Sequence, residues 1–318
     1  MNAFDVVVVG GGAAGLSAAL VLVRAGRTVS IVDAGAPRNA PAEHSHGFLT
    51  RDGMPPPDLL AAGRAEVAGY GASLVDDTVT GIEPGFVLTL ASGEHLRARR
   101  LLLATGLRDE LPDVPGVRER WGRDLLHCPY CHGYEVRDRP LGVLGGTPDA
   151  VQHALLVRQW SSDVTMFAHT SPITSVEREQ LAARGIRVVD GVVARLVVAD
   201  DRLRGVELED GSMIPRAAVF VRPSFVPNSG LLTGLGCQLD ENGWVTHDVS
   251  GRTSVDGVWV AGNAADPRAQ LITAAGQGSA AAIAINAHLV DEDVARAVAD
   301  SRAARHTTSA SPLPTSSS

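Results

Sequence analysis

Two cysteines stand three apart in Cys128-Pro129-Tyr130-Cys131, flanked directly by His127 and His132. Thiols at i and i+3 reach each other at a helix N-terminus, where free N–H groups and the helix dipole favour the thiolate. A neighbouring imidazole can hold a thiolate or carry protons during dithiol–disulfide exchange. Glu135 lies one turn further along. These residue types at this spacing suit thiol redox chemistry.

Three other readings use the same residues. Two thiols and two histidines can bind zinc, although adjacent His-Cys pairs place ligands poorly around one tetrahedron. Cys-Pro-Tyr-Cys is also the glutaredoxin tetrapeptide, but that fold carries it near its own N-terminus after a single strand. Ordinary buried cysteines are the third reading, and the surrounding histidines argue against it. Cys237, in Gly236-Cys237-Gln238, has no such company and reads as a small core residue.

A second constellation is Gly10-Gly11-Gly12-Ala13-Ala14-Gly15, between an apolar run at 6–9 and an Ala/Leu-rich stretch to about residue 25. In such a turn Gly10 permits the sharp reversal, Gly12 lets a pyrophosphate approach the backbone, and Gly15 lets helix and strand pack closely. The phosphates then meet free N–H groups at the helix N-terminus. Asp33, at the end of the next apolar strand, is placed to accept hydrogen bonds from an adenosine ribose. Strand, glycines, helix and strand-end acid together predict dinucleotide binding.

The elements that must position these residues follow a βαβ pattern. Strands are expected at 6–9, 28–32, 78–82, 86–91, 95–99 and 101–105, with a helix at 58–68. The pattern restarts with a strand at 141–144, a helix at 151–160 and a strand at 163–167. A hairpin near Asp200-Asp201, a strand at 257–260 and a small-residue helix at 273–289 complete it. The fold class read from this is α/β, with two Rossmann-like, three-layer ββα dinucleotide-binding domains, the second inserted in the first. The expected division is 1–116 and 245–300 for the first domain and 117–244 for the insertion. A Ser/Thr/Pro-rich tail, 301–318, is expected to be disordered.

Composition narrows the chemistry. All 28 basic residues are arginine, which removes Schiff-base, phosphate-loop and kinase-type lysines. A net charge of −8 gives no support for a nucleic-acid or anionic-membrane partner. Three cysteines are too few for a secreted disulfide scaffold, and no targeting or membrane segment is visible, so a cytoplasmic, soluble protein is expected.

Later segments extend the pattern. Leu101-Leu102-Leu103-Ala104-Thr105-Gly106 resembles the flavoprotein "ATG" strand. The stretch 257–289, with Gly262-Asn263 before Gln270, resembles a C-terminal FAD segment in which a Gly-Asp pair is usual. Taken in order with the cysteine pair, these motifs resemble the thioredoxin-reductase-like FAD disulfide oxidoreductases over roughly residues 4–290. The resemblance implies FAD as cofactor and a homodimer, with the cysteine pair in the inserted domain. It makes Cys131 the flavin-proximal thiol and Cys128 the exchange thiol. It carries FAD contacts onto Gly10, Gly12, Ala13, Ala14, Gly15, Asp33, Ala34, Arg38, Val79, Ala104, Thr105, Gly106, Gly262, Asn263, Gln270 and Leu271. The loop His44-Ser45-His46-Gly47-Phe48 can face flavin, substrate or solvent.

Two departures from that pattern bear on function. NADPH-using members have a complete second glycine motif followed by a His-Arg-Arg run for the 2′-phosphate. Here Thr147 and Pro148 interrupt the motif, and Ala168-His169-Thr170 stands where the arginines belong. Reductases of the family also carry Asp directly after the second cysteine, whereas this chain has His132. His-Cys-Pro-Tyr-Cys-His looks like the dithiol oxidases that close disulfides in small sulfur-containing natural products, as in antibiotic biosynthesis. The expected function is therefore oxidation of a small-molecule dithiol through Cys128, Cys131 and FAD, with O2 as acceptor and His127 and His132 assisting. The alternatives are a thioredoxin-disulfide reductase fed by NADPH or another donor, and a non-catalytic flavin redox sensor.

Overall fold

Valines 6–9 form the buried end of β1 (Asn2–Val9), as a strand covered on both faces requires. This computed structural model describes residues 2–147 and 149–309. The chain continues as α1 (Ala13–Arg24), β2 (Val29–Asp33), α2 (Pro56–Gly69), β3 (Ser73–Asp76), β4 (Val79–Glu83), β5 (Val87–Leu90) and β6 (His95–Leu103). Next come β7 (Leu107–Glu110), α3 (Val117–Arg120), β8 (Leu125–Leu126), α4 (Pro129–His132), β9 (Leu141–Leu144), α5 (Ala150–Val157), β10 (Val164–Phe167), α6 (Ser175–Ala183) and β11 (Arg187–Val189). The remainder is β12 (Val193–Ala199), β13 (Arg202–Leu208), β14 (Met213–Pro215), β15 (Ala218–Phe220), β16 (Ser224–Pro227), α7 (Gly230–Gly234), β17 (Val258–Val260) and α8 (Leu271–Ser309).

The first sheet has the order β3-β2-β1-β6-β5-β4, and β17 returns late in the chain to pair with β6. Its β1, β2, β3, β6 and β17 are parallel, while β4, β5 and β6 form an antiparallel meander. The second sheet, β11-β10-β9-β15-β8, is parallel throughout. An antiparallel sheet, β12-β13-β14, adds the hairpin expected at Asp200-Asp201, both of which adopt positive φ as a tight two-residue turn requires. The chain crosses between domains on β7 and β16, which pair antiparallel. The fold is α/β with one parallel-sheet unit inserted in another, as expected. No helix among the described residues is long and apolar enough to cross a membrane.

Three expectations change. Strands at 95–99 and 101–105 are one nine-residue strand, β6. Arg99 and Arg100 do not break it, because their side chains reach Asp293 and Glu292 on α8, each at 2.5 Å. The domain boundary at 244 moves back to β16, since Leu232, Cys237 and Val245 pack with Val7, Leu101, Leu103 and Val258 of the first domain. Likewise Val114 packs with Leu125, Leu144 and Phe167, so the insertion starts before 117. Finally, the helix expected at 273–289 continues to Ser309, which makes 301–309 helical. Ala, Arg and acidic residues without Gly or Pro sustain it past the last core contact at Leu289. The rest of the expected tail, 310–318, and Pro148 lie outside the described residues.

Candidate active site

Cys128 follows the short buried strand β8 and caps α4, with Pro129 in the first helical turn. Its Sγ accepts the Cys131 N–H at 3.2 Å, and its carbonyl accepts the His132 N–H at 3.1 Å. Cys128 and Cys131 are joined in a disulfide, with Cα atoms 5.2 Å apart. The pair thus sits at the helix N-terminus expected from its spacing. Cys237 is buried elsewhere beside Thr253, and burial pushes its thiol pKa up.

The flanking imidazoles are both driven towards the neutral form. His127 has Nδ1 3.3 Å from the Val221 carbonyl, which assigns the proton to Nδ1 and leaves Nε2 as an acceptor. Burial, reinforced by the Arg38 guanidinium, lowers its pKa to about 4. Burial also lowers His132, against the pull of the Glu135 carboxylate. Each cysteine therefore has beside it in sequence an imidazole that burial keeps neutral near pH 7 and makes a weaker base than a free histidine.

Behind His127 lies a histidine that motif reasoning missed. His153 on α5 is only 6% exposed, with its ring centroid 6.0 Å from that of His127. Its ring is tilted 54° to that of His127, whose backbone lies close enough to pull its pKa back up slightly. Nothing in the sequence marks it, because a lone histidine on an apolar helix face looks like any other core position. Burial, with His127 next to it, lowers its pKa to about 4 from 6.5. The unfolded chain takes up this proton below 6.5, but the folded protein does so only near 4. Stability is therefore fully present above 6.5 and falls as pH drops towards 4, by roughly 3 kcal/mol for such a shift. In urea unfolding between about pH 7 and pH 4.5, His153→Leu should lose roughly 2–3 kcal/mol less than the wild type. Equal losses would show that His153 is not held neutral.

At the first glycine turn the sequence expectations converge in space. A Cβ on Gly15 would collide with the Gly10 carbonyl oxygen, and one on Gly10 with that of Ala104. On Gly12 it would meet nothing within 4 Å, so that face is open to an approaching group. Asp33 accepts the Gly11 N–H at 3.1 Å and lies 3.7 Å from Arg64, which leaves oxygen lone pairs for a ribose. Gly262 packs on Ala14, and its N–H donates to Gln277 at 3.0 Å, a contact not foreseen. Ala13 begins α1, Ala34 is exposed just beyond β2, and Val79 is the buried first residue of β4. This open glycine face, helix N-terminus and strand-end acid fit the FAD that the resemblance implies.

Several expected cofactor residues also have protein partners. The Asn263 amide donates to the carbonyls of Asp266 and Ala269, both at 3.0 Å, and so shapes the loop leading to Gln270 and Leu271. Arg38 is held bidentately by Asp109 at 2.8 and 2.7 Å and lies over the Phe225 ring. Phe225 in turn packs edge-on against His127. Thr105 exchanges hydrogen bonds with Asn228, and Gly106 accepts the Asn228 N–H. These residues tie the two inter-domain crossings together.

The second glycine turn, between β9 and α5, is filled by its own chain. The Gly146 N–H donates to Ser171 Oγ at 2.7 Å. His169 turns inward, its Nδ1 accepting the Val193 N–H at 3.0 Å, and burial lowers its pKa. Thr147 Oγ1 is buried without a partner among the described residues, and Asp149 pairs with Arg222 at 3.2 Å. The segment 169–171 therefore lies against the turn where a pyrophosphate would have to sit.

The chain matches the family model for pyridine nucleotide-disulphide oxidoreductases over residues 4–279. It is similar to thioredoxin reductase sirT of Leptosphaeria maculans, at 33% identity over 92% of this chain and 96% of that protein. Similarity to thioredoxin reductase tcpT of Claviceps purpurea is 31% over 82% and 87%. The crystal structure of HlmI superposes with a TM-score of 0.93 at 59% identity, covering 96% of this chain and 98% of that one. Putative thioredoxin reductase TrxB from Bacillus anthracis gives 0.87 at 35%, over 91% and 99%.

Proposed function

This chain belongs to the pyridine nucleotide-disulphide oxidoreductase family as a thioredoxin-reductase-like FAD enzyme, and from that premise we propose that it is a dithiol oxidase. The overall reaction converts a small-molecule dithiol and O2 to the cyclic disulfide and hydrogen peroxide. A substrate thiolate attacks Cys128 Sγ, forming a mixed disulfide and releasing Cys131 as thiolate. The second substrate thiolate then attacks the substrate sulfur of that bond, which closes the product and releases Cys128. His127 and His132, next to the pair and held neutral by burial, would accept the two substrate protons only transiently, their lowered pKa making each pass its proton on. The Gly10–Gly15 turn and Asp33 would hold FAD, which when bound would supply the two-electron acceptor for the reduced pair, with O2 as the final oxidant.

The observation that carries this reading is the Ser171 hydroxyl on the Gly146 amide, together with the inward-turned His169. A nicotinamide dinucleotide needs that amide for phosphate, and no arginine stands at 168–170 for a 2′-phosphate. Electrons are therefore expected to enter from the thiol side. Under argon, excess NADPH should leave the flavin absorption oxidised. A small dithiol should bleach it, and air should restore it with release of peroxide. Rapid, complete bleaching by NADPH would overturn the reading. It would favour the alternative, a thioredoxin-disulfide reductase, which the names of the similar proteins support.

The pairing of two copies that the family resemblance implies has support on α8. Val290, Val294 and Val298 form an exposed apolar stripe, with Asp291 towards one end and Arg302 and Arg305 towards the other. An antiparallel second copy would set acid against base.

A further inference from the structure

We infer that Tyr130 and Tyr134 form a recognition face beside the cysteine pair, selecting substrates whose two sulfurs are carried on a planar, unsaturated ring. They are two of the chain's three tyrosines, and they stand on either side of Cys131 in sequence. Tyr130 is 65% exposed and Tyr134 64%, whereas Pro129 and Val136 of the same turn are buried. The backbone keeps helical φ and ψ at Gly133, so two side chains four residues apart fall on one side of the turn.

Both rings are held by their neighbours. Trp160, just beyond α5, is anchored at both ends: its N–H donates to the Val157 carbonyl at 3.0 Å, and its carbonyl accepts the Asp138 N–H at 2.9 Å. Its indole comes so close to the turn that a Cβ on Gly133 would stand 2.8 Å from two ring carbons. Tyr130 meets the same indole edge-on, with centroids 5.5 Å apart and planes at 87°. Arg137 covers one face of Tyr134, its guanidinium carbon 3.8 Å from the ring centroid, and donates to the Tyr134 carbonyl at 2.7 Å. Glu135, the next residue, meets His46 of the first domain at 3.5 Å and ties the same turn across the domain junction. Each tyrosine thus presents an open ring surface with little side-chain freedom left to lose on binding.

The size of the patch decides between a small molecule and a protein. Two rings exposed to this extent offer about 300 Å² of contact. A stable protein interface buries roughly 800 Å² on each partner. Arg137, Asp138 and Arg139 border the patch with exposed charge. A ring-bearing dithiol needs no larger surface, since attack on Cys128 fixes one sulfur and stacking on tyrosine orients the rest. A saturated, hydroxylated dithiol gains little from those rings. The inference rests on thiol–disulfide exchange at Cys128 in either direction, and not on O2 as the acceptor.

The test follows anaerobic flavin reduction of the FAD-loaded enzyme by two probes that close disulfide rings of the same size, ortho-bis(sulfanylmethyl)benzene and dithiothreitol. Wild-type enzyme should favour the aromatic dithiol. Tyr130→Ala and Tyr134→Ala should each cut that preference roughly 3- to 10-fold, read as the ratio of second-order rate constants. The ratio is independent of the fraction of enzyme that is folded. Tyr130→Phe should keep the preference, because the ring and not the hydroxyl makes the contact. Tyr70→Ala, which removes the third tyrosine at the end of α2, should leave the ratio as in wild type. A ratio unmoved by both alanines would overturn the inference, and lost exchange with reduced thioredoxin in the same variants would make the patch a protein-docking surface instead. Should the flavin resist both dithiols yet bleach with NADPH, the oxidase reading alone fails. The preference is then read from reoxidation of the reduced enzyme by the two cyclic disulfides.

Discussion

Replacing Cys128 with serine should abolish dithiol oxidation, with kcat falling by about 10³-fold or more while FAD remains bound. The reason is chemical: a serine hydroxyl forms no mixed disulfide, and the remaining Cys131 thiol has no partner with which to pass two electrons. Little structural cost accompanies the change. The Cys131 amide loses a sulfur acceptor at 3.2 Å, and serine is itself a preferred helix cap. Cys131→Ser should be equally inactive, yet the two variants should differ towards a small disulfide reagent. With Cys128 left free, the exchange thiol should form a mixed disulfide detectable by intact mass. With only Cys131 left, labelling should be slower. The reverse order would swap the roles that the family resemblance gives the two cysteines.

The second large effect is on the cofactor, and a pair of alanines separates binding from folding. Gly15→Ala drives a methyl into the Gly10 carbonyl and to 3.1 Å from Val8, so the turn itself must open. A cost of about 3 kcal/mol or more is expected for such overpacking against backbone, with FAD largely lost. Gly12→Ala adds its methyl to open space and should leave the thermal unfolding of the apoprotein close to wild type. It should nonetheless weaken FAD binding, because that space is where the pyrophosphate must approach. The ratio of flavin to protein absorbance, read beside apoprotein melting curves, checks both. Full FAD retention in Gly12→Ala would mean that the cofactor does not cross that residue.

What could be read along the chain was whatever depends on neighbours in sequence. The Gly10–Gly15 turn, the buried valines before it, Asp33, and the capped cysteine pair all follow from local backbone rules, and their positions agree with those rules. Contacts across the domain junction did not announce themselves. Arg38 and Asp109 are 71 residues apart, and an arginine in a Pro-rich loop carries no sign that a carboxylate on a crossing strand will hold it. His46 and Glu135 meet only because two domains fold against each other. The boundary expected at 244 followed a real turn at Asn242-Gly243, but membership of a core is a tertiary property, and Leu232 and Val245 lie on the same side of it. Helix α8 outran its apolar periodicity because helix-forming residues and the ion pairs of Glu292 and Asp293 with Arg27, Arg99 and Arg100 sustain it beyond Leu289.

The packing at the second glycine turn has a further consequence, for how this chain could change over time. A Thr147→Gly reversion would leave the Gly146 amide bonded to Ser171, and removing Ser171 would leave His169 anchored on Val193. Neither would create the missing cation at 168–170. On the proposed function, each single step towards a pyridine nucleotide would gain little binding until the others are made. The electron source would then be protected from drift as by a ratchet, because two hydrogen bonds and one missing cation would have to change together.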